Sequence, residues 1–270
     1  MACRNERIRL IGIDCAASEE KTGLAMLAPD AEGYRLERVS TGSQSLPAES
    51  VLTDWIGESL SEGCRLLLCF DSPLGWPAAF AEQLAGHAAG GAIASDPDSF
   101  FKRATDRRVS DELGKRPLEV TANYIARTAF RALALADRLR SRFGGLELLW
   151  SADGLERIGM IEVYPAAWLI AERVDHADYK KLAAVRERIV CELRERGVRI
   201  GHAEAERVIR SDHMLDAVLC AMNGIDFWNG DCVVPDTADA DRLRKEGWIW
   251  FKTKREAASS LVEGSDRNEQ

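Results

Sequence analysis

Ile8-Arg-Leu-Ile-Gly-Ile-Asp14 decides how this chain is read, together with its echo Arg65-Leu-Leu-Leu-Cys-Phe-Asp71. Each is an apolar run of strand length that closes on an aspartate. Runs of this kind belong to strands covered on both faces. A carboxylate at the end of one is costly to desolvate unless a cation or a hydrogen-bond donor faces it. Ile158–Tyr164 repeats the theme, with Glu162 inside Ile-Glu-Val-Tyr-Pro.

Thr22–Ala28 and Tyr34–Ser40 read as two further strands, joined by the turn residues Pro29-Asp30 and Glu32-Gly33. Short connections predict an antiparallel meander with the first strand. Glu49–Ser61 carries Val51, Leu52, Trp55, Ile56 and Leu60 on one helical stripe, stopped by Gly63. Ser72-Pro-Leu-Gly-Trp-Pro77 breaks the pattern after the Asp71 strand, and Gly86–Asp98 reads as a loose loop. A long helix is predicted from about Leu118, after Pro117, to Phe143. Tyr179–Arg196 reads as an amphipathic helix, and Ser211–Met222 as a more apolar one with Ser211 as its N-cap. Gly247-Trp-Ile-Trp-Phe251 supplies a last strand. The order predicts one α/β domain over residues 1–257, with a basic, mostly helical insertion at 100–145 after the fourth strand. Residues 258–270 read as a disordered tail.

Composition narrows the function classes. The 270 residues hold 46% apolar and 30% charged side chains, ordinary for a globular protein. No apolar run approaches the roughly 20 residues a membrane span needs, and the N-terminus lacks a signal-peptide pattern, so a cytoplasmic address is expected. Seven cysteines in no CxxC spacing read as reduced and structural. The net charge of −8 excludes an indiscriminate nucleic-acid coat. From Lys102 to Arg142, however, 11 Lys/Arg face 5 Asp/Glu, an excess of six that leaves fourteen net negative charges elsewhere. One basic segment on an acidic body suits a grip on an anionic substrate.

The candidate site is acidic. If the strands ending at Asp14 and Asp71 pair in parallel, both carboxylates emerge at one sheet edge, where open α/β sheets bind ligands. Glu162 joins from a third strand. Asp212 and Asp216, four apart, share one helix face. Such a cluster repels itself without a counter-ion. Mg2+ or Mn2+ resolves this, because hard cations take carboxylate and water ligands and pairs of them clamp phosphoryl displacement. Asp14, Asp71, Glu162, Asp212 and Asp216 are therefore the predicted catalytic and metal-binding residues. Arg103, Arg107, Arg108 and Lys115 are the predicted substrate-binding cations, with guanidinium forks suited to phosphate. His213 is expected about 100° round the helix from Asp212, in a supporting or surface role.

The chain resembles the family labelled domain of unknown function 429. The resemblance rests on Ile11-Gly-Ile-Asp14, Phe70-Asp-Ser-Pro-Leu-Gly-Trp-Pro77, Arg103-Ala-Thr-Asp-Arg107, Glu162-Val-Tyr-Pro-Ala166, Asp212-His-Met-Leu-Asp-Ala-Val-Leu-Cys-Ala221 and Gly247-Trp-Ile-Trp-Phe251. It implies an RNase H-like fold, a mixed five-stranded sheet flanked by helices, and a nuclease hydrolysing DNA or RNA at the acidic cluster. Nucleic acid is the partner so implied, and a homodimer is left open. Two other classes share such a core. One is a non-catalytic binding protein that keeps the acids for structure. The other is an actin-like ATPase, which needs a glycine-rich hairpin where this chain has Cys15-Ala-Ala-Ser-Glu-Glu-Lys-Thr-Gly23.

Overall fold

Parallel pairing of the two aspartate-tipped runs organises the molecule. The computed structural model describes residues 8–254, so the predicted tail at 258–270 lies outside the described residues. In chain order the strands are β1 (Ile8–Asp14), β2 (Gly23–Asp30), β3 (Gly33–Thr41), β4 (Arg65–Asp71), β5 (Glu147–Leu148), β6 (Ile158–Val163), β7 (Val198–Arg199) and β8 (Ile249–Trp250). The helices used below are α1 (Ala48–Ser61), α2 (Ala78–Leu84), α3 (Pro97–Phe101), α4 (Ala104–Leu113), α5 (Asn123–Phe143), α6 (Pro165–Ala171), α7 (Ala183–Glu195), α8 (His202–Arg210), α9 (Asp212–Asn229) and α10 (Ala240–Glu246).

The result is an α/β protein with one mixed sheet in the order β5-β6-β4-β1-β2-β3-β7, with β8 added on β6. β1, β2 and β3 form the predicted antiparallel meander, while β4 runs parallel to β1 and β6 parallel to β4. The sheet has eight strands rather than five. Five are long; β5, β7 and β8 contain two residues each, too short to leave a period-two signal in the sequence.

Pleat alternation sends the side chains of β1 to two cores. Ile8 and Leu10 meet Leu67, Cys69, Ile161 and the helices α6 to α9 on one face. Ile11 and Ile13 meet Leu68, Phe70, Met160, α1 and α5 on the other. Gly12 faces α9, and the approach there is close: a Cβ at this position would lie 1.8 Å from the Ala217 carbonyl oxygen. Only glycine permits that distance, which seats α9 directly on the strand.

The insertion α2–α5 is tied to the body by ionic contacts. Glu246, fully buried, accepts from the first amides of both α2 (Ala78, 3.0 Å) and α4 (Ala104, 2.6 Å). A carboxylate at two helix N-termini also meets two favourable dipole ends. Two helices start later than the sequence suggests. α5 begins at Asn123 instead of Leu118, and α7 at Ala183 instead of Tyr179. Before α7 the chain passes through left-handed backbone at Arg173 and Asp178, with φ of 57° and 58°. Non-glycine residues adopt this region rarely, and it breaks any helix. Among the described residues no helix is long and apolar enough to cross a membrane. Cysteines 15, 64, 69, 191, 220 and 232 are free.

Candidate acidic site

Asp14 and Asp71 are register partners at the C-terminal ends of neighbouring parallel strands. Both follow the α9-facing parity of the pleat, the face of Gly12 and Cys69. α9 crosses that face, and Asp216, one residue before Ala217, is carried against them. Asp14 and Asp216 are buried, and Asp71 is partly exposed. The three carboxylates line one cavity of about 620 Å3.

Each acid has a different partner. Asp14 Oδ2 lies 2.7 Å from His213 Nδ1. Asp216 Oδ1 accepts from the Tyr179 hydroxyl at 2.7 Å, and its Oδ2 lies 3.1 Å from Lys180 Nζ. Asp71 accepts no side-chain or backbone hydrogen bond among the described residues. Burial and the neighbouring charges set the proton affinities. Asp14 is pushed up to about 6, chiefly by burial, with His213 opposing. Asp71 rises well above the ordinary range through burial and the repulsion of Asp14 and Asp216. Asp216 also rises through burial, with Lys180 and Tyr179 opposing. The His213 imidazole is raised by its hydrogen bond to Asp14. Burial works against the Lys180 ammonium, but Asp216 outweighs it, so Lys180 stays charged. The site therefore concentrates negative charge against one lysine and one histidine.

Glu162 sits apart from these three. Its register partner is Phe70, not Asp71, so it projects from the opposite face of the sheet. It borders the cavity but is held by Arg103, whose Nη1 and Nη2 donate to its two oxygens at 2.8 and 2.7 Å, while the Leu74 amide donates at 2.9 Å. Arg103 in turn binds Asp106 and the Glu246 carbonyl. With 1% and 2% exposure, Arg103 and Glu162 satisfy each other in the interior. Neither the predicted phosphate fork nor the predicted ligand is free there.

The remaining predicted residues divide. Asp212 is partly exposed at the start of α9 and does not border the cavity; His213 does, reversing the expected order of the two. Arg107 donates to the backbone carbonyls of Asp98 and Lys102, and Arg108 pairs with Glu112 on the surface. Lys115 lies at the cavity with Arg116. Tyr179 and Lys180 were missed, since the sequence assigns them to a helix. The only sequence signal for them is the Lys180-Lys181 pair after an aromatic, too common to single out.

The donor chemistry of Asp14, Asp71 and Asp216 is hard oxygen throughout, the kind Mg2+ and Mn2+ prefer. As the side chains stand, no group of three or more His, Cys, Asp or Glu among the described residues is close enough to hold a metal ion. Asp71 is the acid free to turn toward a ligand; Asp216 is partly engaged by Lys180.

These features define an α/β protein with three aspartates gathered at the carboxyl ends of its central parallel strands. The family model described as "Protein of unknown function (DUF429)" matches residues 12–240, and the chain belongs to that family. No curated protein and no solved structure matches it.

Proposed function

We propose that this chain is a nuclease of RNase H-like fold that hydrolyses phosphodiester bonds of DNA or RNA with the aid of Mg2+ or Mn2+, at a cytoplasmic address. The observation that carries the reading is the convergence of Asp14, Asp71 and Asp216, with Asp71 lacking any donor. The strand order β3-β2-β1-β4-β6, a meander followed by parallel strands, supports the RNase H-like reading. Asp14, Asp71 and Asp216 would hold the cation, which when bound neutralises charge on the phosphate and makes water a stronger acid.

The chain's own groups supply the rest. Lys115 and Arg116 border the cavity and present positive charge to an entering phosphate. His213 is oriented by Asp14 through Nδ1, which leaves Nε2 to pass a proton to a leaving oxygen. Tyr179 fixes one oxygen of Asp216, so that carboxylate cannot rotate away from the site. Lys180 must release Asp216 for that oxygen to serve as a ligand.

Labelled single-stranded and duplex DNA and RNA, incubated with the purified protein at low salt, test the reading. Cleavage is expected with Mg2+ or Mn2+, and it should vanish with chelator and in Asp71→Asn. Intact substrates in every combination would count decisively against catalysis. A second reading, a non-catalytic binding protein, is favoured by Lys180 seated on Asp216 and by the unclosed donor set. It predicts nucleic-acid binding that neither metal nor Asp71→Asn changes.

A further inference from the structure

α5 spends one side on the core and leaves the other unexplained. Ala129, Ala132, Leu135, Ala136 and Leu139 are its buried stripe. Tyr124 and Phe130, by contrast, are each 72% exposed. At 100° per residue, Thr128, Tyr124, Arg127 and Phe130 fan across the helix surface in that order. Thr128 and Ile125 border the carboxylate cavity. The fan therefore begins at the cavity and ends at a shallow groove lined by Ala17, Arg127, Phe130 and Arg131. Ala17 belongs to the short segment that leaves β1 directly after Asp14, so this segment joins groove to site.

Isolated exposed aromatics are common on proteins and need no explanation. Here the charges make the difference. Arg131 is occupied by Glu19 and the Ala17 carbonyl, and Arg138 by Glu49. Arg127, Lys115 and Arg116 form no ion pair and donate no side-chain hydrogen bond among the described residues. They stand at the edge of a body whose net charge is −8. Such a body repels a polyanion everywhere except at a basic face. Flat rings interleaved with unpaired guanidinium groups match exposed bases and phosphates together, and paired bases inside a duplex offer no face to stack on. Six residues separate the two rings, about 9 Å of helix rise and about 120° of rotation, so a strand that curves round the helix surface reaches both.

We propose that this face of α5 is the track of a single-stranded nucleic acid, with its bases on Tyr124 and Phe130 and its phosphates passing Arg127 toward the Lys115–Arg116 rim and the carboxylates. What happens in the cavity rests on the phosphodiesterase reading; the binding itself does not.

The test is fluorescence anisotropy with the full chain, in chelator at low salt, using labelled oligo(dT), oligo(rU) and a duplex. Single strands are expected to bind more tightly than duplex, and the dT and rU arms show which sugar is preferred. Tyr124→Ala and Phe130→Ala should each weaken strand binding by about five- to a hundred-fold. Tyr124→Phe should retain binding, and Arg127→Ala should lower the salt slope by about one. Thermal melting should be unchanged in all four, because the side chains are exposed. Duplex bound as tightly as strands, or strand binding indifferent to both alanine variants, would overturn the track. So would a concentration-dependent dimer abolished by Phe130→Ala, which would make the face a self-association surface. A small diester, thymidine 5′-(4-nitrophenyl) phosphate with Mn2+, separates the two ideas. Its hydrolysis without strand binding sinks the track alone; strand binding with neither this diester nor any DNA or RNA cleaved in Mg2+ or Mn2+ sinks the phosphodiesterase reading alone.

Discussion

Replacing Arg103 by methionine tests whether Arg103 and Glu162 are interior partners or members of the site. The guanidinium makes five side-chain hydrogen bonds: two to Glu162, two to Asp106 and one to the Glu246 carbonyl. Summing charge-assisted bonds at about 1.5–3 kcal/mol each would overstate its worth, because burying the guanidinium has its own desolvation cost. Removing one partner of a buried pair costs about 3–5 kcal/mol, since the other charge is left uncompensated. At roughly 2–4 °C per kcal/mol for a chain of this size, Arg103→Met should melt about 6–20 °C lower. The deficit should depend on pH. Burial raises the Glu162 carboxyl and Arg103 opposes that rise. Without Arg103 the folded protein binds this proton more tightly than the unfolded chain does. Its stability then falls as pH rises from the unfolded carboxylate range through the raised value, and the deficit shrinks on acidification. Glu162→Gln should also lose stability, and Arg103→Met/Glu162→Met should recover much of the sum, a coupling that differential scanning calorimetry can measure. Single variants that each melt within a degree of the parent, or a Glu162→Gln variant that keeps its stability while losing Mn2+ binding, would refute the interior pairing.

Asp14→Asn should stabilise the protein at pH 7.5. A carboxyl raised from 3.8 to about 6 costs at most about 3 kcal/mol once both folded and unfolded states are ionised. The advantage should fade between pH 6 and pH 4 and be absent below; a variant no more stable than the parent at pH 7.5 would contradict the charge repulsion. Lys180→Ala removes the ammonium from Asp216, so calorimetric titration should show Mn2+ binding strengthened several-fold; weaker binding would mean that the lysine does not compete with the cation. His213→Gln loses an imidazole whose proton affinity is raised by Asp14, so its destabilisation should be larger at pH 6 than at pH 9, read by thermal melting. Gly12→Ala forces a methyl against the Ala217 carbonyl and should cost more than about 4 kcal/mol or prevent folding, judged by circular dichroism.

What could be read in advance followed from elements long enough to carry a period. β1 and β4 announce themselves as doubly covered strands, and parallel pairing then places Asp14 beside Asp71. Glu162 could not be placed the same way. Moving the β4–β6 register by one residue exchanges the two faces of the sheet, and the apolar residues on either side of Glu162 suit both. α9 poses the corresponding problem in rotation. Asp212 with Asp216 and His213 with Asp216-Ala217 are both plausible inward faces, and the choice is made by Gly12, which admits the backbone at Ala217. Arg103 shows a third limit: a guanidinium suits a phosphate and an interior carboxylate equally, and only burial distinguishes them. Tyr179 and Lys180 enter through a backbone break at Asp178 that no periodicity marks.

With Glu162 paired to Arg103, Asp14 and Asp71 at the sheet edge and Asp216 on α9 are faced by His213, which bonds Asp14, and by Lys180, which bonds Asp216. Burial is the first cause of the aspartates' raised proton affinities, and the cationic partners nearby do not cancel it. A fold that selected only for stability would exchange Asp71, which has no donor, for an uncharged side chain. Keeping it there makes sense if a positive charge from outside the chain completes the site. The basic rim formed by Lys115 and Arg116 supplies part of that charge on the side from which a phosphate would come, without discharging the carboxylates themselves.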